Sequence, residues 1–161
     1  MYVNARAIIE RETAFGTEII LQIRNKPQYG EKPLELPGGR VEEFESFLEA
    51  LKREVREETG LTITQIEGAE TKVEAQTEET AVECVQPFAM YQTTKGPVDS
   101  MGVYFRCQAS GTLLDEGDDT LNPRWVSVHQ VAQQMKEDAE QFSWIDRAGI
   151  HFYLKHRNIL S

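Results

Sequence analysis

Glu54, Glu57 and Glu58 lie at helical spacings of three and four residues, ending two residues before Gly60. On a helix this spacing turns the three carboxylates toward one side. Like charges such as Glu54 and Glu58 repel there, by roughly 0.2–0.5 kcal/mol for an exposed i,i+4 pair. They would also occupy the last turn, where the helix dipole favours cations. Folding alone gives no reason for three glutamates at that place. A bound divalent cation does, because hard cations take carboxylate oxygens as ligands.

The elements that must present these acids can be read around them. Ser46-x-x-Glu49 forms a capping box, Leu48, Leu51 and Val55 form an apolar stripe, and Gly60 suits the left-handed stop position. Together they predict a helix from Phe47 to Thr59 with a core sector, an acidic sector and a basic sector of Lys52, Arg53 and Arg56. Upstream, Val3–Ile9 and Glu18–Arg24 read as strands, and Leu34–Leu36 runs extended into Pro37. Asn25 to Pro33, with two prolines and a glycine, reads as a loop. Downstream, strands are expected over about 62–75, 81–92 and 100–109, followed by an acidic loop from Asp115 to Asn122. A short strand at Trp125–Val128, a helix over about 129–140 and a tail helix over about 145–160 complete the pattern. The elements predict an α/β (α+β) sandwich with a mixed sheet, as one domain over residues 1–161.

Composition narrows the partners. The 161 residues are 40% hydrophobic and 27% charged, which fits an ordinary globular domain. A net charge of −10 argues against nucleic acid and against an anionic membrane surface as partners. No apolar run reaches membrane-span length, and Arg6 and Glu10 interrupt any signal-peptide core. Cys84 and Cys107 both lie in apolar strand-like runs, so buried free thiols in a reducing cytoplasm are expected. A phosphate-bearing small molecule fits this acidic chain only if metal ions reverse the local charge.

The 23 residues from Gly39 to Leu61 resemble the Nudix box. Its pattern is Gly, five residues, Glu, seven residues, then Arg-Glu-aliphatic-x-Glu-Glu-x-Gly-aliphatic. Gly39, Glu45, Arg53, Glu54, Val55, Glu57, Glu58, Gly60 and Leu61 fill every fixed position. The preceding Leu34–Gly39 (LELPGG) and the later Trp125-Val126-Ser127 are also similar to family features. The resemblance implies the Nudix α/β/α sandwich and metal-dependent hydrolysis of a pyrophosphate bond in a nucleoside diphosphate-linked compound. It implies that Glu54, Glu57 and Glu58 hold Mg2+ or Mn2+ with the Gly39 carbonyl, that Glu45 approaches the metals from the loop–helix junction, and that Arg53 orients a box glutamate.

Glu57 or Glu58 is the first choice for general base. A loop carboxylate (Glu116, Asp118 or Asp119) ranks behind them, because Asn122-Pro123-Arg124 replaces the acid that many relatives carry before Trp125. Arg24 and Lys26 are candidate substrate-phosphate contacts, while Tyr29 and Phe142 could stack on a base but read more simply as packing. Gln76 stands where ADP-ribose-specific members often carry proline. The resemblance leans to a nucleoside triphosphate pyrophosphohydrolase. Nucleotide sugars or dinucleotides are the alternative, as is a non-catalytic Nudix-fold binding module. A prenyl-diphosphate isomerase would need an activated cysteine, for which neither thiol has an evident partner. Homodimers are common among relatives. One departure is Phe44, at a position that is commonly glycine in the family; it is expected to reshape the loop slightly and could pack as the first apolar contact of the helix.

Overall fold

A computed structural model of the chain describes residues 1–26 and 32–160. The strands are β1 (Tyr2–Thr13), β2 (Gly16–Arg24), β3 (Leu34–Glu35), β4 (Gly38–Arg40), β5 (Thr62–Ile66), β6 (Val73–Gln76), β7 (Ala81–Cys84), β8 (Ala89–Gln92), β9 (Ser100–Ser110), β10 (Glu116–Gly117) and β11 (Thr120–Ser127). The helices are α1 (Phe47–Thr59), α2 (Val128–Glu137) and α3 (Arg147–His156). The helix expected around the glutamates has the predicted bounds. Ser46 Oγ accepts the Glu49 backbone N–H at 3.1 Å, and Gly60 ends the helix at φ 81°. The tail helix is shorter than expected, and the expected strands over 62–75 and 81–92 each break in two. Pro87 interrupts the second of these.

β1 organises the sheet. It pairs in parallel with β9 along one edge, and on the other edge with β4 near Ala5 and then with β2 beyond Glu10. Alternate residues of β1 point to opposite layers. Ala5, Ala7 and Ile9 pack with Leu51 and Val55 of α1, whereas Ile8 packs with Val131 of α2 and Ile150 and Leu154 of α3. The result is an α/β/α sandwich around a mixed sheet, as the sequence predicts.

The strand is shared between two half-sheets, and the segment Leu34–Arg40 is the seam between them. Its first part pairs with Gln22 and Ile23 of β2, the Pro37 carbonyl accepts the Ala7 N–H at 2.8 Å, and its last part pairs with Asn4–Arg6. Charged groups are buried beside this seam. Arg6 Nε lies 2.8 Å from Asp146 Oδ1, and Arg6 Nη2 donates to the Leu36 carbonyl at 2.6 Å. Asp146 also accepts the Leu36 N–H at 2.9 Å and the Tyr104 hydroxyl at 3.0 Å.

The expected burial of both thiols holds for Cys107 alone. Cys84 is exposed because β6 and β7 form a separate two-stranded ribbon with no core beneath it. Among the described residues no helix is long and apolar enough to cross a membrane.

Candidate active site

The acidic end of α1 meets the seam. Glu58 is buried, and its Oε1 accepts the Gly38 backbone N–H at 2.8 Å. Burial pushes the Glu58 carboxyl up to about 8, with repulsion from Glu35 adding to it and the Gly38 bond opposing it. Burial also raises the Glu54 carboxyl, against the pull of Arg53. The seam requires both glycines, Gly38 for its approach to β1 and Gly39 for its approach to α1. Gly38 sits at φ 145°, where a Cβ would collide with the Ala5 carbonyl oxygen. A Cβ on Gly39 would lie 2.8 Å from the Glu54 carboxylate.

Arg53 ties the loop before α1 to the acids. Its Nε and Nη2 take both oxygens of Glu45 at 2.8 and 2.9 Å, in the planar two-point geometry that guanidinium allows. Its Nη1 reaches Glu54 at 2.9 Å and Glu57 at 3.4 Å, and Nη2 also donates to the Arg40 carbonyl. Hydrogen bonds from Arg53 hold the Glu45 carboxyl below its ordinary range. Although Arg53 belongs to the basic sector by helical angle, its length carries the guanidinium across to the acidic one.

Each box acid already has a protein donor. Among the described residues no three acidic, histidine or cysteine side chains stand as a ready cation cage. Arg53 engages Glu54 and Glu57, and the Gly38 N–H engages Glu58. The donor chemistry nevertheless suits a hard divalent cation: three carboxylates at one helix end, two of them carrying a burial penalty, lie beside a backbone that approaches closely.

The other expected site residues divide. Arg24 lies 3.8 Å from Glu35, and Lys26 lies 4.0 Å from Asp119. Strand register places Arg24 opposite Thr120, whose hydroxyl donates to the Glu58 carbonyl, and Lys26 meets Asp119 beside the Asp118 N–H that donates to the Glu57 carbonyl at 3.2 Å. Phe142 is fully buried in the α2–α3 core, which leaves packing as its role. Tyr29 lies outside the described residues.

Glu35, Gln22 and Thr120 were not singled out by the sequence reading. Glu35 is buried and accepts from Gln22 Nε2 at 3.2 Å, while Thr120 Oγ1 donates to the Glu58 carbonyl at 3.2 Å. A charged residue between Leu34 and Leu36 in an extended run is the signal that could have marked Glu35.

Phe44 corrects an expectation. It does not pack against the helix: its side chain is fully exposed, and its backbone lies at φ 59°. The loop holds a phenylalanine in a left-handed turn that glycine adopts freely. The left-handed region costs an L-residue roughly 1–2 kcal/mol, part of which the greater freedom of an unfolded glycine cancels. Phe44→Gly should therefore stabilise the protein by about 1 kcal/mol in urea unfolding. A variant no more stable than wild type would show that the turn carries no strain.

A family model for the NUDIX domain matches residues 1–148, and the chain belongs to the Nudix family. It is accordingly a hydrolase of the class that acts on nucleoside diphosphate-linked compounds. Its fold is similar to that of a Jonesia denitrificans protein described as a possible asymmetric diadenosine tetraphosphate hydrolase. That likeness has a TM-score of 0.69 at 15% identity and covers 99% of this chain and 96% of the other. The MutT protein of Methanosarcina mazei aligns with a TM-score of 0.58 at 20% identity, covering 97% and 94% of the two chains. The E. coli ORF135 protein aligns with a TM-score of 0.60 at 21% identity, covering 98% and 91%. No curated protein matches the chain.

Proposed function

We infer that the chain is a magnesium- or manganese-dependent pyrophosphohydrolase of nucleoside triphosphates. The observation that carries this reading is that Arg24 and Lys26 stand at the end of β2 that faces Thr120 and Asp119, in the hairpin bonded to the acidic end of α1. Phosphate oxygens need cations, and in a chain of net charge −10 this end offers two basic side chains beside a carboxylate set suited to metal. Glu54, Glu57 and Glu58 would hold the cation with the Gly39 carbonyl, and Glu45 would act through its clamp on Arg53. When bound, divalent ions neutralise phosphate oxygens and lower the pKa of the attacking water.

The chain's own residues supply the rest. Gly38 fixes Glu58 by its N–H, Arg53 sets the separation of Glu54 and Glu57, and Arg24 and Lys26 receive the phosphate chain. Glu57 or Glu58 takes the proton from water. The two unpaired cysteines accord with a reducing cytoplasmic setting.

Chromatographic analysis of the products formed with magnesium from nucleoside triphosphates, nucleotide sugars and dinucleoside polyphosphates tests the assignment. Preferred turnover of triphosphates to the monophosphate is expected. Turnover confined to nucleotide sugars would move the chain to that class, and no turnover of any diphosphate compound would remove the hydrolase reading.

Metal binding should also reverse a stability trend. The Glu58 carboxyl is raised to about 8 from an ordinary 4.5, so across that interval the folded chain binds more protons than the unfolded one. Without metal, the favourable contribution of the protonated form is complete below about 4.5 and lost as pH rises through about 8. Cations compete for the deprotonated carboxylate, so magnesium stabilisation should grow over the same interval. Melting curves in chelator and in saturating magnesium check this. A magnesium increment that shrinks toward high pH would contradict the site.

A further inference from the structure

Phe44 is costly to the fold in two ways: its backbone is held left-handed at φ 59°, and its ring touches no core residue. Phe15 is almost as exposed, but it lies in a hairpin turn without a positive φ, so exposure alone does not set Phe44 apart. Its position does. The turn that carries it is closed by the Glu45 N–H on the Glu42 carbonyl and by the Glu42 N–H on Glu45 Oε1, both at 3.1 Å. The next residue, Glu45, is gripped at both oxygens by Arg53, whose other N–H groups reach Glu54 and Glu57. The strained aromatic is thus built onto the scaffold that sets the acids, and strain of this kind concentrates at ligand clamps.

The neighbours of Phe44 narrow what the ring meets. Glu42 and Glu43 are exposed immediately before it, so this turn repels phosphate and carboxylate groups. An uncharged aromatic face suits it, and base-on-aromatic stacking needs only two π-faces. We propose that Phe44 is a specificity-determining residue whose ring stacks on the base of a nucleotide with its phosphates at the acidic end of α1. This rests on the nucleotide reading given above.

Calorimetric titration in magnesium, using a non-hydrolysable ATP analogue and inorganic tripolyphosphate as probes, tests it on wild type and on Phe44→Gly, Phe44→Ala and Phe44→Trp. Removing the ring should raise the ratio of the two dissociation constants, ATP analogue over tripolyphosphate, on the order of tenfold, and tryptophan should restore it. Equal weakening of both probes would assign Phe44 to loop geometry and overturn the proposal. An unmoved ratio with normal wild-type hydrolysis overturns stacking while leaving the enzyme assignment intact. Wild-type protein that binds neither probe overturns the nucleotide reading and stacking with it.

Discussion

Glu58→Gln should lower turnover at least about a hundredfold while the fold is retained. Glutamine preserves the shape of the side chain and still offers a carbonyl oxygen to the Gly38 N–H, which now lies 2.8 Å from Glu58 Oε1. What it removes is the negative charge, the property a divalent cation and a proton-accepting base both require. The same change should raise the stability of the metal-free protein at neutral pH, because burial disfavours the ionised Glu58 carboxyl. Activity and stability therefore move in opposite directions, which a general folding defect cannot produce. Glu57→Gln is the comparison: Glu57 is exposed, so its substitution should cost turnover with little change in melting temperature. Steady-state kinetics with magnesium and melting curves in chelator decide the matter. Wild-type turnover in both variants would disprove the roles given to these acids.

Asp146→Ala should destabilise the protein by about 3 kcal/mol or more, among the larger effects of any single substitution. Asp146 is fully buried at the start of α3, with Arg6, Tyr104 and the Leu36 N–H directed at its two oxygens. Burial works against the Arg6 charge, and Asp146 and Glu35 together hold it protonated. Alanine would leave that cation with Glu35, whose nearest oxygen is 3.5 Å away, and would strand a buried N–H and a buried hydroxyl. Urea unfolding measures the loss. A change below about 1 kcal/mol would mean that water or Glu35 replaces the aspartate without penalty.

These two residues mark the boundary of what was legible in the sequence. Glu58 belongs to a contiguous pattern of charge, spacing and caps, so its helix and its chemistry could be read locally. Asp146 lies 140 residues from Arg6, and nothing in its own neighbourhood announces a buried partner. Glu35 was hidden for a similar reason, since its role depends on Gln22, Arg6 and Arg24. A sandwich with a mixed sheet was legible because strand and helix patterns are local properties, and the α/β/α layering followed from the resemblance carried by the box. The pairing of β1 with three partners was not legible, because register is a contact between distant segments. Phe44 shows a third limit: a phenylalanine at a position commonly glycine announced a change, but only backbone geometry showed that the turn is left-handed and the ring stands free.

Glu58 is gripped from two remote stretches of chain, the seam and the β10–β11 hairpin. Its carboxylate meets Gly38, its carbonyl oxygen takes the Thr120 hydroxyl, and Gly117 lies so close that an added Cβ would collide with that carbonyl. The box is continuous in sequence, but the site is not. A chain ending before β10 would contain all three box glutamates and still lack the wall that seats the last of them. The glutamate socket is therefore a product of completed long-range assembly, and its formation must await closure of loops spanning more than half the chain.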